Sequence, residues 1–181
     1  DDFARQSGVP LVTLESAVCR KGQTELTLRQ GRFGLDEPSR ASRAWRVPVR
    51  VGVVGETQTT TVLTKGKALT RAVVAGCGPV KINAGQAGYF RSAYHGAAQA
   101  QITASFKDLA PIDQLGLLND ALALGQADYA PIEAYLDLST KVSAANDPVV
   151  VTQVIDALRG MDRLFDGDLP LPGVHRCPAL E

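Results

Sequence analysis

Histidine and cysteine are both scarce in this 181-residue chain, and each shortage closes off a class of chemistry. The two histidines, His95 and His175, stand far apart and no His-Glu-x-x-His occurs. The sequence therefore cannot set two imidazoles one helical turn apart with a carboxylate base between them. Cys19, Cys77 and Cys177 are too few and too scattered for a disulfide framework, and none forms a Cys-x-x-Cys pair. Spacing singles out no pair among them, so thiols packed as small hydrophobes are the expectation. Net charge is lacking too: 19 Lys+Arg balance 19 Asp+Glu, which argues against a nucleic-acid or anionic-membrane footprint. No apolar run approaches the length of a membrane span, and Asp1-Asp2 does not begin a signal peptide. A soluble protein of the cytoplasm or the periplasm fits these absences. The chain does not begin with Met and its last two residues, Leu180-Glu181, resemble a cloning scar, so it reads as a piece of something longer.

What is present is hydrophobic patterning of two kinds. At 45% hydrophobic and 21% charged the chain is globular in composition. Up to position 95 the period is two. Residues 9–14 read as a strand that tolerates Pro10 at its start, and residues 25–30 alternate through Leu26 and Leu28. Residues 45–54 are the clearest case: Trp45, Val47, Val49, Val51 and Val53 share one face and Arg46, Pro48, Arg50 and Gly52 the other. Pro48 on that polar face calls for an edge or a bulge. Residues 57–64 are threonine-rich, 69–74 follow the Lys65-Gly66-Lys67 turn, and residues 80–94 read as a hairpin broken by Asn83, Gly85 and Gly88. The sum is about seven short strands, an all-β sandwich.

From Gly96 the period becomes helical. Ala98, Ile102, Phe106 and Leu109 share one face. Pro111 opens a second helix with Leu115, Leu118 and Leu122 on one stripe and Leu117, Ala121 and Leu124 beside it. A third follows Pro131, with Ile132, Tyr135, Leu136 and Val142 inward. Asp147-Pro148 starts a fourth, as N-cap and first helical residue, with Val150, Val151, Val154, Ile155, Leu158, Met161 and Phe165 apolar. Short connections imply antiparallel helical hairpins. The division expected is a β-sandwich over 1–95 and the first helices of an α-helical unit over 96–181, with a frayed tail from Gly167.

Five motifs, in order, carry a family resemblance. They are Gly8-Val9-Pro10-Leu11-Val12, with Phe3 where Trp is usual; Gln30-Gly31-Arg32-Phe33; Trp45-Arg46-Val47-Pro48-Val49; the run V-K-I-N-A-G-Q-A-G-Y-F-R-S-A-Y over 80–94; and Asp113 through Asp120-Ala121-Leu122 to Leu124. Together they resemble the non-catalytic C-terminal portion of aminopeptidase N-type zinc metallopeptidases, the gluzincin aminopeptidases. Gln114 stands where the family has Arg, which puts in doubt any ion pair made there. The resemblance implies a β-sandwich spacer followed by the start of a HEAT/armadillo-like superhelix that closes over the active site of the parent. It also implies a parent that uses zinc to remove N-terminal residues from peptides.

The chain itself offers no catalytic, cofactor-binding or metal-binding residue by this reading, and no cofactor; zinc belongs to the missing catalytic domain. Weaker constellations have plainer explanations. Gly76-x-Gly78 and Gly85-x-x-Gly88 are turns, not phosphate loops, because no Gly-x-Gly-x-x-Gly or Gly-Lys-[Ser/Thr] is present. His95 with Asp108 or Asp113 is an acid–base pair only if the fold joins them, and a solvated His95 is the expectation. Cys77 has no base near it in sequence to lower its pKa. Tyr89, Phe90 and Tyr94 are core aromatics before they are a peptide groove. The partners expected are the catalytic domain, peptide substrates of the parent, and a second copy of the isolated piece. No nucleic acid and no membrane span are expected. A free-standing adaptor that binds a protein is the alternative.

Overall fold

The computed structural model describes residues 6–41 and 43–164. Phe3, Phe165, His175, Cys177 and the tail from Gly167 lie outside the described residues. The strands are β1 (Val9–Arg20), β2 (Gln23–Phe33), β3 (Arg46–Val53), β4 (Thr59–Lys65), β5 (Thr70–Ala75), β6 (Val80–Ile82) and β7 (Arg91–Tyr94). Four helices follow: α1 (Gly96–Ala104), α2 (Pro111–Gln126), α3 (Glu133–Ser139) and α4 (Pro148–Leu164). The strands form a four-stranded sheet, β5-β2-β1-β7, and a three-stranded sheet, β4-β3-β6.

The alternation at β3 does what its pattern dictates. Trp45, Val47, Val49, Val51 and Val53 are all buried, and burying each such side chain contributes about 1.5–3 kcal/mol. Pro48 sits where β3 pairs β4 but not β6, which reaches only Val51 to Val53. Its missing N–H is therefore tolerated on a stretch that is open on one side. β1 runs further than its apolar residues announce. A register break between Leu14 and Ser16 inserts Glu15 and resets the alternation, so the strand continues to Arg20 with Ala17 against the core and Ser16, Val18, Cys19 and Arg20 exposed. Lys21 and Gly22, both at positive φ, then turn it into β2.

The expected hairpin over 80–94 is not one. β6 pairs antiparallel with β3, and β7 pairs parallel with β1, so the two arms lie in different sheets. The Asn/Gly loop carries the chain across the sandwich instead of reversing it within a sheet. Tyr94 spans the gap: the Ile82 N–H donates to its hydroxyl at 2.8 Å, and that hydroxyl donates to the Ile82 carbonyl at 3.4 Å.

Most helical faces are as the spacing predicts. Ile102, Phe106, Leu109, Leu117, Leu118, Ala121, Leu124, Tyr135, Val150 and Val154 are buried. Phe106 achieves this from a separate 3-10 turn after α1 has ended. Asp147 caps α4, accepting the Val149 N–H at 2.9 Å. Leu136, Ile155 and Leu158, expected inward, are exposed at 38%, 42% and 41%. α2 packs against both α3 and α4. One apolar cluster runs without interruption from Val12 and Trp45 through Ile102 and Phe106 to Tyr135 and Val154, so the core crosses position 95.

Candidate functional site

The most polar place inside the molecule is the joint between strands and helices. Loop 83–88 is folded by its own side chain: Asn83, at φ 57°, accepts the Gly88 N–H at 2.8 Å and donates to the Gly88 carbonyl at 3.0 Å. An amide side chain thus replaces a strand partner at both backbone groups. The loop lies flat on α2 at Gly116, where a Cβ would collide with the Gln86 amide.

Two cations from the sheets meet two carboxylates from α2. Lys81 projects from β6 on the outward side of its sheet, opposite Gly52, yet is 3% exposed. Its Nζ donates to the Ile82 carbonyl at 2.6 Å and faces Asp113 at 3.5 Å. Asp113 also accepts the Gly85 N–H at 2.8 Å. Desolvation holds the Lys81 pKa below its usual value, against the pull of Asp113 and Asp120. From β7, Arg91 donates to Asp120 at 3.2 Å, and the Ser92 N–H donates to the same carboxylate at 2.9 Å. Burial pushes the Asp120 carboxyl up, opposed by these two donors. Asp113 and Asp120 lie two helical turns apart, hence on one face of α2. Since β6 and β7 belong to different sheets, α2 clips the two sheets together.

Three further polar contacts explain motif residues. Gln30 donates to the Trp45 carbonyl at 3.0 Å and to the Thr64 hydroxyl at 2.8 Å, and accepts the Trp45 N–H at 2.9 Å. The Gln-Gly-Arg-Phe and Trp-Arg-Val-Pro-Val motifs therefore touch inside the sandwich. Gln114 makes no ion pair: it donates to the carbonyls of Phe106 and Leu109, both at 3.1 Å, and accepts from Asn146 at 3.2 Å. Tyr129, for which the sequence carried no signal, donates to the Arg32 carbonyl at 3.0 Å and accepts the Gly34 N–H at 3.1 Å. Its ring stacks on Phe33 at 5.6 Å and lies under the Arg40 guanidinium.

The residues weighed as sites fall as follows. His95 is exposed at the N-cap of α1, and among the described residues no hydrogen bond or ion pair joins it to Asp108 or Asp113. The Gly85 amide is already occupied by the Asp113 carboxylate, and the Gly76 N–H donates to the Gly22 carbonyl. Phe90 and Tyr94 are buried, but Tyr89 is 71% exposed. Cys77 is not a free thiol. It is bonded to Cys19, with Cα atoms 5.3 Å apart, which corrects the expectation of unpaired cysteines. The pairing was illegible because the β5-β2-β1 order, not spacing, brings the end of β1 beside the β5–β6 turn.

Among the described residues no three His, Cys, Asp or Glu converge as a metal site, and no helix is long and apolar enough to cross a membrane. Among the described residues the donor set does not suit zinc: His95 is isolated, and Cys19 and Cys77 are consumed by their disulfide.

Residues 79–172 match the model of a family described as ERAP1-like C-terminal domain. The chain is also similar to glutamyl aminopeptidase of Mus musculus, 26% identical over 184 aligned residues, and to that of Rattus norvegicus, 24% identical over the same length. Each alignment covers 94% of this chain but 19% of the relative, so the chain spans about a fifth of the length of the curated relatives it matches. The family match opens on the residue before the Val80-Lys81 strand, contains both ends of the Lys81–Asp113 and Arg91–Asp120 pairs, and runs over more than half of the chain; the chain belongs to the family of ERAP1-like C-terminal domains.

Proposed function

We propose that this chain is a non-catalytic portion of a zinc-dependent aminopeptidase that removes N-terminal residues from peptides. Residues 1–95 act as a spacer, and the helices from residue 96 begin the unit that closes over the active site of the parent. The observation that carries this reading is the clip between α2 and the two sheets. Both carboxylates of α2 are spent on sheet cations, an arrangement suited to transmitting position and not to moving protons. The relation to glutamyl aminopeptidases supports the parent chemistry. Zinc would be held by the catalytic domain of such a parent, where it would supply Lewis-acid polarisation of the scissile carbonyl and activation of water. No residue of this chain takes part in that step by this reading; its own residues hold the strands and helices in register. The exposed Cys19–Cys77 disulfide supports maturation in an oxidising compartment, which favours the periplasm or another extracytoplasmic space over the cytoplasm.

Two measurements test it. The purified chain should bind no stoichiometric zinc and release no product from aminoacyl substrates; either activity in pure protein defeats the non-catalytic assignment. The encoding reading frame should contain a His-Glu-x-x-His upstream, and its absence would leave the adaptor reading standing.

A further inference from the structure

The zero net charge of the chain is the sum of two opposed halves. Between positions 38 and 107 the sequence holds ten Lys/Arg and a single acid, Glu56; from Asp108 onward it holds twelve Asp/Glu and four Lys/Arg. Strand register gathers part of the basic half onto one surface. The outward rows of β3 and β4 set Arg46 opposite Lys65, Pro48 opposite Leu63, and Arg50 opposite Thr61. All six are exposed, as is Lys67 in the turn that follows. The β6 end of this face is roofed by loop 83–88 and the start of α2, which is why Lys81 is buried there, whereas the β4 end is bare.

Arg46 and Lys65 are direct cross-strand neighbours of like charge, an arrangement that lowers stability. Among the described residues no ion pair involves Arg46, Arg50, Lys65 or Lys67. Arg50 is held along the face by donating to the Thr59 hydroxyl at 3.0 Å. The surface thus has basic ends and an apolar centre at Pro48 and Leu63.

We propose that this face docks an acidic polypeptide segment, with carboxylates against Arg46, Lys65 and Arg50 and an apolar side chain over Pro48 and Leu63. Charge complementarity chooses the sign of the partner. The apolar centre at Pro48 and Leu63 chooses the class, because a polypeptide segment can lay an apolar side chain over it while its carboxylates meet the cations, which a phosphodiester backbone cannot do. The inference is independent of the spacer role.

The test uses the whole chain and a fluorescein-labelled peptide of alternating glutamate and valine, read by anisotropy, with the lysine–valine peptide as control. The acidic peptide should bind, more weakly as salt rises, and Arg46→Glu with Lys65→Glu should weaken it by about tenfold. Arg46→Glu alone puts opposite charges across the strand pair, so its melting temperature should hold or rise while binding falls. Absence of binding, equal binding by the reversed variant, or a lower melting temperature of Arg46→Glu would each overturn the proposal. So would tighter capture of duplex DNA or phosphatidylserine vesicles than of the peptide, or a dimer that the same reversal dissolves.

Discussion

Asp113 uses one oxygen for two donors, facing the Lys81 ammonium at 3.5 Å while accepting the Gly85 N–H. Removing its charge takes the nearest carboxylate from a buried cation, so Asp113→Asn should cost about 3 kcal/mol in urea denaturation. Adding Lys81→Met removes the stranded charge and should return part of that loss; a double variant no more stable than the single one would show that the pair is not coupled. Asp120 behaves differently. Its folded pKa is raised above 3.8 by burial, so its protonated form is favoured in the folded state. Stability from this group is complete below 3.8 and is lost as pH climbs through the folded value. The unsubstituted chain should therefore gain on Asp120→Asn as pH is lowered towards 3.8, measured as the difference in urea midpoints across that range. Asp120 was visible in the sequence only as a member of a motif, and Asp113 as that and as a candidate partner of His95. Their roles depend on Lys81 and Arg91, which lie in another part of the chain and meet them only through the fold.

At the level of elements, the Cys19–Cys77 bond ties the end of β1 to the β5–β6 turn across a sequence separation of 58 residues. In the chain-entropy account a ring of that size stabilises the fold by about 4 kcal/mol. Reduction under native conditions, or Cys19→Ser with Cys77→Ser, should lower the melting temperature to the same extent; no change would mean that the unfolded chain gains no freedom from the cut. The β3 strand was legible because its alternation is strict and one face is fully buried. The second half of β1 was not, since the irregularity at Glu15 shifts the phase and most of its residues are exposed. The apparent hairpin over 80–94 failed for a related reason: an Asn/Gly break marks a change of direction, and local sequence does not say which strand each arm will pair with.

On the scale of the whole molecule, the apolar face of α4 is only partly covered. Val150 and Val154 enter the core, whereas Leu158 and Ile155, on the flank of the same face, remain exposed. Among the described residues nothing covers this flank of α4, and an exposed apolar stripe of this kind favours association. The chain should elute above its monomer mass at high concentration, and Ile155→Glu with Leu158→Glu should restore the monomer without lowering the melting temperature. An unsubstituted chain that stays monomeric throughout would overturn this expectation.

Order along the chain, strands before helices, followed from periodicity alone, because a period of two and a period of 3.6 are properties of consecutive residues. So did the buried faces of β3 and α2 and the cap at Asp147, each set by spacing within a single element. Which arms pair, which cysteines bond, where the basic residues gather and which carboxylate meets which cation were decided only by tertiary structure. Those are distances between residues far apart in sequence, and they exist only once two sheets and a helix have been brought together around one core.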